Sequence, residues 1–93
     1  MTISLTQDGA EPREHRIKRL HMRSMRRGIK EMDIILMRFA AARLEAMEED
    51  QLAAYEALLN ENDQDLYQWV SGQQSAPADL QAQIAEIRAV IAG

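Results

Sequence analysis

The sequence predicts an all-α protein, a small five-helix bundle folded as a single domain. Three observations predict it. Ninety-three residues suffice for one domain, and a chain of that size buries only about 60 to 65% of the surface its unfolded form exposes. Ala, Glu, Gln, Leu, Met and Arg, all good helix formers, dominate the composition. No segment alternates apolar and polar residues for long, as a half-buried strand would, whereas apolar spacings of three and four recur.

Residues 1–13, "MTISLTQDGAEPR", read as a flexible N-terminal arm ahead of a helical domain over 14–93. The arm offers few groups to bury and lacks the apolar core of a secretory signal, and Asp8 and Glu11 argue against an Arg-rich transit peptide. The first helix runs from about Glu14 to Arg26. Ile17, Leu20 and Ser24, with Met22, Met25 and Ile29, sketch its inner side, and Arg16, Lys18, Arg19, Arg23 and Arg26 its polar face. Gly28 is expected to end it.

The second helix, about Ile29 to Leu44, carries a broad apolar stripe of Met32, Ile35, Leu36, Phe39, Ala40 and Ala42, and is the expected centre of the bundle. "EED" at Glu48 to Asp50 puts negative charge where a third helix begins and its exposed amides favour it; Leu52, Tyr55, Leu58 and Leu59 form that helix's buried side. "NENDQD" supplies caps, Asp63 among them, for a short fourth helix in which Leu66, Trp69 and Val70 share a face and Trp69 fills core. Gly72 stops it. After the loop "QQSAPA", Leu80, Ile84, Ile87 and Ile91 define a fifth amphipathic helix.

Composition excludes much. Without cysteine there is no disulfide, thiolate metal site or thiol nucleophile, which suits a reducing interior. His15 and His21 do not share a helical face and cannot form a metal site alone. No apolar run approaches the roughly 20 residues of a membrane span, so the protein is expected to be soluble. There is no Gly-rich phosphate loop, no HExxH and no plausible Ser/His/Asp set, and Glu31 and Asp33 point to different helical faces; no catalytic residues are assigned and the chain is not read as an enzyme. The net charge of −4 hides an asymmetry: residues 13–43 carry ten Lys/Arg against three Asp/Glu, whereas 44–93 carry one Arg against ten Asp/Glu. Such polarity either holds two halves of a bundle in register or offers a basic face to a partner.

"RRGIKE", Arg26 to Glu31, sits where two helical patterns meet. Gly28 can simply end a helix through positive φ or a sharp turn, Glu31 can sit at N3 of the next helix as a cap, and Arg27 and Glu31, four apart, can pair on the surface. The same residues can instead be presented to something else.

The stretch "KRLHMRSMRRGIKEMDIILMRFA", Lys18 to Ala40, resembles the signature region of the SdhE family of FAD assembly factors, also called succinate dehydrogenase assembly factors. The RGxxExD hallmark reads Arg27, Gly28, Glu31 and Asp33, and "DQDLYQWV" resembles the family's second block, D-x-D-L-aromatic-x-W. The resemblance implies a non-enzymatic helper of five helices that binds the flavoprotein subunit of succinate dehydrogenase, or of fumarate reductase, and promotes covalent attachment of FAD to it. The FAD belongs to that client; no cofactor or metal is expected to bind this chain stably, and a monomer in a bacterial cytoplasm is the implied state. Arg27, Gly28, Glu31 and Asp33 are then the partner-binding residues: glycine admits a close backbone approach, Arg27 offers a planar donor fork and Glu31 an acceptor. Arg23, Arg26 and Lys30 are weaker electrostatic candidates. The alternative is a nucleic-acid-binding or toxin-neutralising module that uses the basic segment 13–43, which lacks base-stacking aromatics.

Overall fold

The computed structural model describes residues 11–93, which form helices α1 Arg13–Arg23, α2 Lys30–Arg43, α3 Glu49–Leu59, α4 Asp63–Val70 and α5 Gln81–Ala92, with 3-10 turns at Leu44–Ala46 and Ala78–Leu80. No strand occurs among the described residues, and no helix is long and apolar enough to cross a membrane. The expected arm falls mostly on residues 1–10, which lie outside the described ones. Its last residues are engaged: Glu11 pairs with Arg19 at 2.9 Å, and Arg13, already helical, donates to the Met47 carbonyl at 2.6 Å.

α2 is the central element, as its stripe predicts. Met32, Leu36, Phe39 and Ala40 are buried, and the helix packs most extensively on α5, then on α1 and α4. Phe39 meets Tyr55 of α3 with ring centroids 5.4 Å apart, within the range where aromatic pairs gain beyond simple burial. Trp69 is buried as expected, beside Leu66 and Val70, and Tyr67 packs partly buried against the same core. Ala42 departs from expectation: it is exposed, because it lies about 100° around the helix from the residues that face inward.

α1 ends at Arg23, three residues before the expected limit. Ser24 is the cause. Its N–H closes on the Leu20 and His21 carbonyls, its hydroxyl donates to the Leu20 carbonyl at 2.8 Å, and it shares a 2.6 Å hydrogen bond with the Tyr55 hydroxyl, all fully buried. A serine bonded back to the carbonyl four residues earlier competes with the helical ladder, and here the chain leaves the helix directly after it. Both methionines expected on the inner side are exposed: Met22, about 200° around α1 from Leu20, by 64%, and Met25, past the helix end, by 39%.

The charge asymmetry holds the bundle in register. Arg16 reaches Glu49 at 2.8 Å and Arg19 reaches Glu56 at 2.7 Å, while Arg23 donates to the Asn60 side chain at 2.7 Å, so the basic side of α1 is laid along α3 and its C-terminal edge. Hydrogen bonds from Arg19 hold the Glu56 and Glu11 carboxyls below the usual carboxylate range. Exposed pairs of this kind contribute little each. They do occupy the guanidinium groups of α1, Arg13, Arg16, Arg19 and Arg23, which phosphate tracking by the basic segment would need.

Candidate partner-binding site

The connection between α1 and α2 is built from both family blocks. Ile29 is the N-cap of α2 and its carbonyl accepts from the N–H groups of Met32 and Asp33 at 2.9 and 3.2 Å. Glu31 is therefore the second helical residue, one position earlier than the expected N3. It is exposed, next to amides that favour a carboxylate, and no Lys or Arg lies within ion-pair distance of it among the described residues. The Arg27–Glu31 pair is not formed.

Arg27 points inward. Its Nε donates to Asp63 Oδ1 at 2.7 Å, Nη1 to the Arg23 carbonyl at 2.9 Å and Nη2 to the Leu59 carbonyl at 3.0 Å. One guanidinium thus satisfies carbonyls left over at the ends of α1 and α3, where a cation is also favoured by the helix dipoles. Only 11% of the Arg27 side chain and 19% of Asp63's is exposed. The expectation that Arg27 offers its fork outward is corrected accordingly, since the fork is spent on the chain's own scaffold.

Asp63 does not cap α4. Asn62 does, accepting from the Gln64 N–H at 2.8 Å. Asp63 is the first residue inside the helix, and its second oxygen accepts from the Gly28 N–H at 2.6 Å. This contact explains the glycine. A Cβ on Gly28 would stand 3.0 Å from Asp63 Oδ2, so a side chain there pushes on the carboxylate that holds the turn. Positive φ is not the reason: the left-handed residue is Arg26, at φ 55°. Asp33 completes the brace by accepting from the Arg27 N–H with its own carboxylate.

The seven expected contact residues thus divide. Arg27 and Asp33 brace the turn from within, and Arg23 is half-buried against Asn60. Arg26, Gly28, Lys30 and Glu31 stand exposed along the outer edge, where Arg26 and Lys30 have no carboxylate within ion-pair distance among the described residues. Sequence reasoning missed Asp63 as part of the site, although its place at the head of the second block was the available signal. It also missed Ile34 and Met37, which are 54% and 44% exposed on α2 just beyond Glu31.

Fold and site define the class: a small all-helical protein that carries a braced turn at its surface. Residues 18–91 match the family model described as flavinator of succinate dehydrogenase, and the chain belongs to that family. Succinate dehydrogenase assembly factor 2-A, mitochondrial, of Drosophila willistoni is 38% identical over 79 residues, which cover 83% of this chain and 50% of the relative. Succinate dehydrogenase assembly factor 2, mitochondrial, of Saccharomyces cerevisiae is 44% identical over 61 residues, 66% of this chain and 38% of the relative. Its counterpart from Candida glabrata is 49% identical over 53 residues, 57% and 35% respectively. The chain spans half the length, or less, of these relatives.

Proposed function

We propose that this chain is a non-enzymatic assembly factor that binds the immature flavoprotein subunit of succinate dehydrogenase, or of the related fumarate reductase, and promotes covalent attachment of that subunit's FAD. The family description and the relatives' names, which say assembly factor, support the reading. The observation that carries it is the exposed Glu31 carboxylate at the edge of a turn that Arg27, Asp33 and Asp63 brace from behind.

The chemistry is the client's and its cofactor's. Attack by a client histidine on the flavin methyl group requires aligned reactants and stabilisation of the charge that develops on the isoalloxazine ring. A binder contributes by holding the client in one arrangement, and a preorganised turn loses little conformational freedom on docking. In this reading the chain holds no FAD of its own, and Glu31 accepts from a donor on the client, with Lys30 and Arg26 beside it steering the encounter. The lack of cysteine suits a reducing compartment, the bacterial cytoplasm in this proposal, whereas the relatives named above are mitochondrial by name.

The test is co-expression with the flavoprotein subunit, followed by denaturing electrophoresis and in-gel fluorescence of protein-linked flavin. Omitting this chain is expected to abolish or sharply reduce the signal. A signal unchanged by the omission removes the role for that client.

A further inference from the structure

α2 is apolar on both sides. With 100° of rotation per residue, Met32, Leu36, Phe39 and Ala40 point into the core, and the direction opposite them falls on Ile34. Ile34 is 54% exposed; Met37, one turn along the same line, is 44% exposed, and Ala41 continues the line in solvent. Single exposed apolar residues need no explanation. Three in register along the outer line of the central helix, starting one turn from Glu31, do, because the fold would be served equally well by polar residues there.

The charges around this strip differ from those that α1 lays along α3. Arg13, Arg16, Arg19, Arg23 and Arg27 each have a carboxylate within 4.0 Å. Lys30 and Arg38, one turn to either side of Ile34, have none among the described residues. A second copy is a poor occupant. Antiparallel pairing about a two-fold axis at Ile34 sets Lys30 of one copy against Arg38 of the other, so like charges meet.

Resting on the client reading above, we infer that Ile34, Met37 and Ala41, rimmed by Lys30 and Arg38, form a second contact strip continuous with Glu31, and that it takes an apolar ridge bordered by carboxylates on the client flavoprotein subunit. The strip supplies desolvated area beside a charged contact, the combination in which interface hot spots sit. Lys30 and Arg38 supply the choice of partner.

The experiment measures binding of the purified flavoprotein subunit to the full chain by calorimetry, with folding followed by circular dichroism. Ile34→Glu and Met37→Glu, both helix-compatible, are expected to fold normally and to weaken binding about tenfold or more. Arg38→Glu should weaken it severalfold and flatten its dependence on salt. Met22→Glu, at an apolar side chain that is more exposed but lies on α1, should leave binding unchanged. If the unaltered chain and Glu31→Ala behave as an assembly factor requires while Ile34→Glu binds normally, the strip is overturned and the client reading stands. If the unaltered chain does not bind, both fall together. A dimer in sedimentation equilibrium that Ile34→Glu dissociates overturns the proposed occupant in favour of a second copy.

Discussion

The inner and outer sides of the turn at residues 24–31 use the same residue types for opposite purposes. On the inside, Arg27 and the carboxylates of Asp33 and Asp63 are locked into one network with the ends of four helices; on the outside, Arg26, Lys30 and Glu31 have no ionic partner among the described residues. The lesson is that a motif's charged residues are not a contact list. Of this hallmark's charged residues, Arg27 and Asp33 build the shape and Glu31 stands exposed.

Mutations should separate the two sides, starting with the strongest effect. Arg27→Ala leaves Asp63 and two helix-end carbonyls without their shared donor, and is expected to cost about 3 kcal/mol in chemical denaturation. Arg27→Lys should recover little of it, because an ammonium cannot span the three directions of the fork. A loss below about 1 kcal/mol would mean that the network is not holding the turn.

The inner side also responds to alkali. Burial pushes the Tyr55 hydroxyl up to about 12. The folded state therefore holds its proton more tightly than the unfolded chain, whose tyrosine titrates near 10. The resulting stability is fully present below about pH 10 and is lost as pH rises from about 10 to about 12, by about 2 to 3 kcal/mol. Tyr55→Phe should flatten that limb in pH-dependent melting.

Outside, Glu31→Ala is expected to change folding stability by no more than about 1 kcal/mol and client binding by about 2 kcal/mol or more. Equal losses in the two assays would return Glu31 to the scaffold. Gly28→Ala, which brings a Cβ to 3.0 Å from Asp63 Oδ2, should destabilise by about 1 kcal/mol through a weakened hydrogen bond and impair binding along with it. The smallest effect belongs to Arg16→Ala, where the pair with Glu49 and a longer one with Glu56 at 3.6 Å are lost for about 0.5 kcal/mol together.

Local patterns made most of the fold legible. The stripe Met32, Leu36, Phe39 and Ala40, the acidic start of α3 and the Ile84, Ile87 spacing all act within one helix, and each appears where periodicity put it. What escaped depends on distant groups. Ser24, at which α1 ends, is tied to Tyr55, 31 residues away. Gly28 is small because of Asp63, 35 residues away, and no nearest-neighbour rule connects them. The family resemblance marked both blocks but could not say that they touch. The outer strip was passed over for another reason: Ile34 and Met37 fall outside the inward stripe, and sequence reasoning gave apolar residues there no role, though they stand exposed.

The Asp63 carboxylate carries one further consequence, for the order in which the chain matures. Its two oxygens grip positions 27 and 28 from more than thirty residues downstream, so the corner cannot take its final form until the later half of the bundle has closed over it. A half-finished copy therefore has an unbraced corner. The contact that fixes the shape of the proposed site is one that synthesis can supply only once the chain has passed residue 63.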